Sequence, residues 1–525
     1  MQPYSLTIDK FLDHAAKWHG AAEVVSATAA GGATRTTYAE LRERSRLTSG
    51  GLIARGLQRG DRIATLAWNT LDHLTLYYAA MGAGFVCHTL NPRLSVPQIS
   101  AMVNQAADRW IAVGAGLQPL VREILALCPS VEAILLLDDQ TADSSSFQKY
   151  PKWTLAEFIR DFGRETCWGD FDEETPAGLC YTSGTIGEPR GVLYTHRSNY
   201  LHTLRALQAD SFAITSQDTV LVAVPMFHAN GWGLPFAGPA VGARMILPGR
   251  HLEAAHLKTL IFKEGVTVAA AVHAVWLGLV EHLESEGGEL PSLKRVVVGG
   301  SHCPEAVVAR IEERLGVLVQ TSWGMTELSP LGTIMPLDAP KAAGARGSGR
   351  PPLGLDLKLV DAAGVALSPQ RNVIGRLRVK GASVADRYFG EDGSALDAEG
   401  YFDTGDLASI DDAGNLTIAG RTKDLIKSGG EWINPREIEE IVSSHPGVGL
   451  AAVIGRPDQK WGERPVLVVE PLKNCTLDRG MLLETLRGKV PDWWLPDEVI
   501  VVERIPLAAT GKLDKKRLRR EYGSA

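Results

Sequence analysis

The chain lacks the features that mark several large classes of protein. Only six of its 525 residues are cysteines, and none of them forms a CxxC pair or a metal-ligand spacing. Dispersed cysteines argue against a disulfide framework and favour a reducing compartment, so we expect a cytoplasmic protein. The formal net charge of -7 gives no global electrostatic reason to bind nucleic acid. The charged, amphipathic N-terminus does not have the pattern of a signal peptide.

Long hydrophobic runs are also missing. The most apolar stretch, residues 265–280, is shorter than a spanning helix requires and contains His273. We interpret it as a buried strand followed by a helix. The sequence therefore predicts no transmembrane segment, although this composition leaves room for a peripheral membrane contact.

Apolar strands and amphipathic helices alternate through most of the chain. The stretch "DRIATLAW" is typical of a buried strand. In the next stretch Leu71, Leu74, Tyr78 and Met81 recur at steps of three and four, as on one face of a helix. This alternation predicts an α/β fold with layered parallel sheets, whose ligand sites lie beyond the carboxyl ends of the strands. From about residue 347, short antiparallel strands are expected.

The stretch "CYTSGTIGEPRGVLYTHRSN", residues 180–199, is rich in glycine and hydroxyl residues and follows an apolar strand. Such a loop can turn several N–H groups and hydroxyls toward one anion, and Arg190 adds a positive charge for phosphate oxygens. The spacing GxxxxGK[ST] fails at Pro189 and Arg190, and no GxGxxG spacing occurs in the stretch. It is not a standard NTPase or Rossmann loop, and composition alone leaves an ordinary surface loop open.

The loop does resemble the Thr-Ser-Gly-Thr-Thr-Gly-x-Pro-Lys-Gly loop of the adenylate-forming superfamily. That superfamily includes acyl-CoA synthetases, aryl-CoA ligases, luciferases and nonribosomal adenylation domains. Four further stretches resemble its motifs and follow in its order: "TSWGMTELSP", "YFDTGDLASID", "GRTKDLIKSGGEWINPREIE" and "IPLAATGKLDKKRLR". Because all five motifs occur in order over residues 182–512, the chain is identified as a member of this superfamily.

The resemblance implies two domains and an α/β fold class. Residues 1–422 would form a large N-terminal domain of layered α/β subdomains with a β-barrel-like subdomain, which binds ATP and the acyl group. Residues 423–525 would form a small, mobile C-terminal α+β domain. Lys423 would be the hinge between them.

The resemblance also implies which residues hold ATP and Mg2+. Trp323 would lie near the adenine, Thr326 would meet the phosphate, and Glu327 would supply the oxygen ligand that a hard cation needs. Asp406 would accept hydrogen bonds from both ribose hydroxyls. The implied ATP-binding residues are Thr182, Ser183, Gly184, Thr185, Gly187, Arg190, Gly300, Ser301, Trp323, Gly324, Met325, Asp406 and Arg421.

The resemblance implies two half-reactions. A carboxylate attacks the α-phosphorus of ATP to give an acyl-adenylate and pyrophosphate, and the CoA thiolate then displaces AMP to give a thioester. The implied catalytic residues are Lys512, Glu327, Thr326 and His228, with Lys512 needed only in the first step. The implied hinge and CoA residues are Lys423, Lys427, Ser428, Gly429, Gly430, Glu431 and Trp432.

The acyl site is implied by "PMFHANGWGLPF", which resembles the acyl-site segment of fatty acyl-CoA synthetases. His228 would border the carboxylate, while Trp232 is either a gate over an apolar tunnel or a plain core aromatic. "HTLNPRL" is most similar to the branch of medium-chain acyl-CoA synthetases and methylthiopropionate-CoA ligases, with aryl-alkanoate ligases close behind. The implied acyl-pocket residues are Gly231, Trp232, Val272, His273, Gly299 and His302.

Four positions depart from that branch. Ile186 replaces a threonine and Arg190 a lysine, so the phosphate loop loses a hydroxyl and gains a broader cation. His273 and His302 stand where relatives usually have proline and a small residue. Each is either a satisfied core histidine or part of a pocket made polar or shortened, in which long saturated acids would fit poorly.

Three other functions share part of this pattern. A stand-alone adenylation enzyme would load a carrier protein, although no carrier is expected after Lys512 because the chain ends thirteen residues later (525 minus 512). The second alternative is a luciferase-like oxygenase, and the third is a non-catalytic nucleotide-binding relative. The main prediction is an AMP-forming acyl-CoA synthetase that uses ATP, Mg2+ and CoA on a medium-chain, methylthio- or aryl-alkanoic acid. Homodimers are common in the family and are expected here.

Overall fold

The computed structural model describes residues 1–28, 32–138, 147–182, 189–338, 347–472, 475–508 and 513–523. Its helices are α1 (Asp9–Trp18), α2 (Tyr38–Ala54), α3 (Leu71–Gly82), α4 (Val96–Ala106), α5 (Gln118–Leu125), α6 (Leu155–Phe162), α7 (His196–Ala206), α8 (Leu234–Val241), α9 (Ala254–Glu264), α10 (His273–Glu286), α11 (Glu305–Leu315), α12 (Pro435–Ser443), α13 (Arg479–Glu484) and α14 (Lys515–Tyr522).

The strands fall into four sheets. They are β1 (Glu23–Ala27), β2 (Ala33–Thr37), β3 (Arg62–Leu66), β4 (Val86–Thr89), β5 (Trp110–Val113), β6 (Ala133–Leu136), β7 (Lys152–Thr154), β8 (Pro176–Tyr181), β9 (Gly191–Thr195), β10 (Thr219–Val222), β11 (Arg244–Leu247), β12 (Val268–Ala271), β13 (Arg295–Val298), β14 (Leu318–Gly324), β15 (Leu331–Ile334), β16 (Leu355–Val360), β17 (Gly375–Gly381), β18 (Phe402–Ile410), β19 (Leu416–Arg421), β20 (Ile426–Ser428), β21 (Glu431–Ile433), β22 (Val448–Asp458), β23 (Gly462–Pro471) and β24 (Glu498–Val501).

Two large, mostly parallel sheets form the bulk of the molecule, as the alternation of strands and helices predicts. One has the strand order β7-β6-β5-β3-β4-β8-β9, and the other has the order β15-β14-β13-β12-β10-β11-β1-β2. Only the pairs β8-β9, β14-β15 and β1-β2 in these two sheets run antiparallel. The sequence-predicted strand and helix of residues 265–280 are β12 and the start of α10.

Helix α3 differs from its sequence pattern. The periodicity predicts one apolar face, whereas every residue from Leu71 to Gly82 is buried. The reason is that α3 contacts β4 and β8 of one sheet and β1 of the other, so no side of it is left for solvent. A helix apolar all round is typical of such a position, and its tyrosines Tyr77 and Tyr78 donate hydrogen bonds to main-chain carbonyls.

The short strands expected after residue 347 form a third sheet, with the antiparallel order β16-β17-β18-β19. The C-terminal region forms a fourth sheet, β21-β20-β23-β22 with β24 paired to β23. It has a core of its own, in which Ile438 and Val442 of α12 pack with Val453 and Leu467. This arrangement is the predicted small α+β unit. None of the helices in the described part of the chain combines the length and apolar character that crossing a membrane requires.

Candidate nucleotide and acyl site

Several of the predicted site residues that the structure describes lie at one edge of the eight-stranded sheet. Strands β10, β12, β13 and β14 are parallel neighbours, so their carboxyl ends lie on the same side. Val272 and His273 follow β12, Gly299 to Ser301 follow β13, and Trp323 and Gly324 end β14. The polar turns that the sequence places in these three separate stretches are therefore adjacent in the fold.

The ribose side of the site is an ordered set of three side chains. Asp406 on β18 and Arg421 on β19 are direct partners in the antiparallel register. Arg421 Nε lies 2.9 Å from Asp406 Oδ1, and the indole Nε1–H of Trp323 donates to Asp406 Oδ2 at 2.9 Å. Asp406 is only 2% exposed. Because an ion pair holds one of its oxygens and a hydrogen bond from the indole holds the other, the carboxylate has one fixed orientation before any nucleotide binds.

Glu327 is held at both its main chain and its side chain. Its carbonyl accepts from the N–H of Ala385 at 2.8 Å, and its Oε1 accepts from the hydroxyl of Tyr388 at 2.8 Å. The residue is 6% exposed. Neighbouring Thr326 is fixed through its carbonyl, which accepts from the Tyr194 hydroxyl at 2.7 Å. A buried carboxylate with one oxygen tied and the other accepting no hydrogen bond from a described residue suits a hard cation.

The phosphate loop is described only at its two ends. Ser183, Gly184, Thr185, Ile186 and Gly187 lie outside the described residues, as does Lys512 near the C-terminus. At the base, Thr182 N–H donates to the carbonyl of Arg190 at 2.9 Å, which closes the loop between β8 and β9. The Arg190 guanidinium forms a bidentate ion pair with the Glu391 carboxylate: Nε donates to Oε1 at 2.9 Å, and Nη2 donates to Oε2 at 2.8 Å. The bonds to Glu391 raise the pKa of Arg190.

The predicted acyl-pocket residues Trp232, Val272 and Gly299 lie together. A Cβ on Gly299 would come within 3.0 Å of the Trp232 ring and 2.4 Å of Ser322 Oγ. A Cβ on Gly300 would come within 3.4 Å of the same ring and 3.2 Å of Val272 Cγ1. Both glycines are needed because the indole packs directly on the main chain there, and Gly300 also has a φ of +79°.

The segment that carries Trp232 has an unusual main chain, which the sequence did not predict. Ala229, Asn230, Gly231, Trp232 and Gly233 have φ values of 39°, 45°, 58°, 56° and 76°. Left-handed residues other than glycine cost roughly 1–2 kcal/mol each. The available signal was the alternation of asparagine and glycines around a tryptophan, because these residues tolerate positive φ. His228, just before this turn, is half-buried, and its role beside the carboxylate stays a prediction.

The two unusual histidines have different partners. His273 Nδ1 lies 3.0 Å from Ser301 Oγ, and burial lowers the pKa of His273 to about 4. His302 Nδ1 instead contacts Arg436 Nη2 of α12 in the C-terminal region at 2.5 Å. Partial burial and the Arg436 cation lower the pKa of His302 to about 3, with 32% of its side chain still exposed. Both rings are neutral at pH 7.

The predicted hinge lies beside the ribose set. A cleft of about 320 Å³ is lined by Thr404, Gly405, Arg421, Thr422 and Lys423. Burial and the neighbouring Arg421 lower the pKa of Lys423.

The predicted CoA residues form the β20-β21 hairpin, whose turn at Gly429 and Gly430 has φ values of 61° and 92°. Lys427 lies 5.5 Å from the Trp432 ring, and Ser428 pairs with Glu431 across the turn. The exposed Trp432 and the open space around Gly430 leave this turn accessible.

Residues that the sequence interpretation missed also contact the site. Tyr388 and Glu391 lie in "DRYFGED", which contains no recognisable motif. Arg205 on α7 is buried, and it donates to the carbonyls of Leu328 and Leu331 next to Glu327. Arg436 lies in a predicted motif but was not singled out. These side chains act through tertiary contacts alone, so local sequence carried no signal for them.

Comparison with known proteins identifies the family. Residues 11–389 match the family described as AMP-binding enzyme, and residues 437–512 match the AMP-binding enzyme C-terminal domain. The chain therefore belongs to the AMP-binding enzyme family. This result confirms the superfamily that the five motifs predicted.

Relatives with similar sequences span the whole chain. The medium-chain-fatty-acid–CoA ligase of Ectopseudomonas oleovorans is 41% identical over 532 aligned residues, covering 100% of this chain and 97% of the relative. The 3-methylmercaptopropionyl-CoA ligase of Ruegeria lacuscaerulensis is 42% identical, covering 100% and 99%. The crystal structure of ATP-bound MatB from Rhodopseudomonas palustris superposes with a TM-score of 0.86 at 26% identity, covering 98% and 99%.

These similarities confirm the predicted class of enzyme. The chain is an AMP-forming acid–thiol ligase of the acyl-CoA synthetase type, and its co-substrates are ATP and CoA. They favour the main prediction over a carrier-loading enzyme or an oxygenase. The predicted roles of individual residues stay predictions.

Proposed function

We propose that this ligase converts a medium-chain, methylthio- or aryl-alkanoic acid to its CoA thioester through an acyl-adenylate. The observation that carries the proposal is that Trp323, Asp406 and Arg421 contact one another. Trp323 ends a strand at the sheet edge where the acyl-side residues Trp232 and His273 also lie. A nucleotide and an organic acid bound to these two groups of residues would be neighbours.

Binding of ATP begins with groups that are already oriented. Asp406 would accept the ribose hydroxyls through its fixed oxygens, and the Trp323 ring would lie against the adenine. Thr182 and the loop after it would donate to the phosphates. Because the side chains of Trp323, Asp406 and Arg421 are already held in place, binding energy is available for bringing the acid carboxylate to the α-phosphorus.

Glu327 would hold Mg2+, since its carboxylate is buried, oriented by Tyr388 and open at one oxygen. Among the described residues no group of three or more His, Cys, Asp or Glu could hold a metal on its own. A single carboxylate supplemented by phosphate oxygens is the usual arrangement for Mg2+ at nucleotide sites. The bound cation supplies charge neutralisation of the phosphates, and Lys512 would add a second positive charge from the C-terminal region.

The acid would lie along Trp232, Val272 and Gly299, with its carboxylate near His228. Similarity to a medium-chain fatty acid ligase and to a methylmercaptopropionyl ligase supports this substrate range. The His273–Ser301 pair places polar atoms among these residues, which disfavours a long saturated chain.

The second half-reaction would use the β20-β21 turn. A Cβ on Gly430 would meet nothing within 4 Å, so this part of the turn leaves room for a narrow thiol-bearing chain, whereas Gly429 packs against the Trp461 ring. The thiolate sulfur would attack the acyl carbonyl, and AMP would leave with the bonding electron pair. We propose that residues 1–422 and 423–525 are the two domains. Rotation of the second domain about a hinge at Lys423 would bring Lys512 to the site for the first half-reaction and this turn for the second. Lys423→Pro should spare adenylation and slow thioester formation, and equal losses in both steps would contradict the hinge.

The decisive experiment is a panel of short, medium, long and aryl carboxylates scored by AMP release with and without CoA. We expect CoA-dependent AMP release, greatest with medium-chain, methylthio- or aryl-alkanoic acids. AMP release that ignores CoA, or no pyrophosphate release with any acid, would refute the proposal.

A homodimer and a cytoplasmic location complete the proposal. The first rests on the family resemblance and the second on dispersed, unpaired cysteines, of which Cys87, Cys128 and Cys180 are buried. Light scattering on the purified chain and cell fractionation test them separately.

A further inference from the structure

Residues 385–391, here called the bridging segment, connect the phosphate loop with Glu327. At one end Ala385 donates to the carbonyl of Glu327, and Tyr388 donates to its carboxylate. At the other end the N–H of Phe389 donates to the carbonyl of Gly191 at 2.8 Å, next to Arg190. One short stretch therefore ties two site elements that are far apart in sequence.

The guanidinium of Arg190 contacts two side chains of the bridging segment. Its carbon lies 3.5 Å from the centroid of the Tyr388 ring, while its Nε and Nη2 donate to the two oxygens of Glu391. A planar guanidinium can stack on an aromatic ring and at the same time form a bidentate ion pair with a carboxylate. A lysine ammonium cannot make these two contacts together. This geometry gives a reason for arginine at a position where the resembling loop has lysine.

The Tyr388 hydroxyl determines where the Glu327 carboxylate points. The last torsion of a glutamate side chain is broad, so an untied carboxylate would sample many orientations. The hydrogen bond of 2.8 Å to Oε1 removes that freedom and leaves Oε2 without a hydrogen bond from any described residue. Partners of this kind, one step behind a metal ligand, commonly govern metal affinity.

We propose that Tyr388 is a positioning residue that orients Glu327 for the metal, and that Arg190 and Glu391 hold Tyr388 in place. Arg190 thus acts on the metal ligand through Tyr388 and does not serve as a direct phosphate ligand. This inference rests on the proposed role of Glu327.

The test is Tyr388→Phe in the full-length protein. Mn2+ is titrated with a non-hydrolysable ATP analogue present, and free Mn2+ is read by electron paramagnetic resonance. We expect about tenfold weaker Mn2+ binding, an equal rise in the Mg2+ concentration for half-maximal pyrophosphate exchange, and less than a twofold change in the KM for ATP at saturating Mg2+.

Tyr401→Phe is the matched control. Tyr401 also donates to a carboxylate, that of Asp356, and a cation lies over its ring, Lys358 at 3.9 Å. Tyr401 immediately precedes β18, and these two partners both lie on β16 and not beside Glu327, so we expect its loss to leave Mn2+ binding unchanged. A general effect of removing a tyrosine–carboxylate bond would appear in both variants and would overturn the proposal.

Further variants separate the possible failures. If Glu327→Gln does not weaken Mn2+ binding, the proposed metal role of Glu327 is wrong. If Glu327→Gln weakens it and Tyr388→Phe does not, or if Tyr388→Phe raises only the KM for ATP, the positioning role alone is wrong. Should Tyr388→Phe fail to fold, Arg190→Lys replaces it, with about threefold weaker Mn2+ binding expected and an unchanged value overturning the proposal.

Discussion

The nucleotide side and the acyl side of the site are built in opposite ways. On the nucleotide side, the carboxylate of Asp406 is held by the Arg421 cation and the Trp323 indole, and that of Glu327 by the Tyr388 hydroxyl, all in ordinary backbone geometry. On the acyl side, Trp232 sits on a left-handed turn, and His273 is a neutral ring bonded to one serine hydroxyl.

The contrast teaches where this chain resembles its family and where it differs. ATP is the same molecule for every adenylate-forming enzyme, so its site can be preorganised by charge. The acid varies, and there His273 and His302 stand where relatives usually have proline and a small residue, in addition to the two departures, Ile186 and Arg190, at the phosphate loop. Variants on the nucleotide side should therefore cause large, substrate-independent losses, while variants on the acyl side should change the choice of acid.

The largest expected effect is that of Lys512→Ala. Loss of a preorganised cation typically costs about 10²–10³ in rate, and we expect this loss in pyrophosphate exchange for every acid. The thioester step from a supplied acyl-adenylate should be retained. Exchange at the wild-type rate would remove Lys512 from the first half-reaction.

Asp406→Asn should raise the KM for ATP by roughly ten- to a hundredfold, since hydrogen bonds to a charged group contribute about 1.5–3 kcal/mol. The amide also faces the Arg421 cation, which it cannot neutralise. Asp412→Asn, in an exposed turn after the same strand and bonded only to Asn372 in the described structure, is the control. A KM equal to the control's would mean that Asp406 does not contact ribose.

His273→Ala should broaden the range of acids. Removing the ring and its bond to Ser301 makes the region larger and less polar, so kcat/KM for a long saturated acid should rise about tenfold relative to a medium-chain one. The matched control is His282→Ala, which removes a half-buried histidine from the same helix away from the site. An unchanged ranking of acids would assign His273 to the core.

The smallest effect concerns pH. The unfolded His273 ring takes up a proton near pH 6.5, but the folded ring does so only near pH 4, so the free energy of unfolding falls as pH drops through this window. At pH 5 the low pKa of the folded His273 ring reduces the free energy of unfolding by on the order of 2 kcal/mol. His273→Asn should flatten the decline in Tm between pH 7 and pH 5. Equal slopes in wild type, His273→Asn and His282→Asn would disprove this burial effect.

Much of the fold and the chemistry was contained in the sequence. The alternating strand and helix patterns predicted the α/β layers, and five motifs in order predicted the ligase class that the family comparison confirmed. These are local signals, because a glycine turn or an apolar period is written in adjacent residues. The register makes Asp406 and Arg421, two residues that the motifs implied for ATP binding, cross-strand neighbours, and their individual roles stay predictions.

Tertiary structure decided the rest. It buried α3 on all sides, turned residues 229–233 left-handed, and directed Arg190 to Tyr388 and Glu391. The local sequence permits the turn of residues 229–233 but does not require it, and the other two outcomes depend on what another part of the chain brings within a few ångströms. The sequence by itself thus determined the reaction class through local chemistry, whereas the partners and orientation of each site side chain arose only when distant segments packed together.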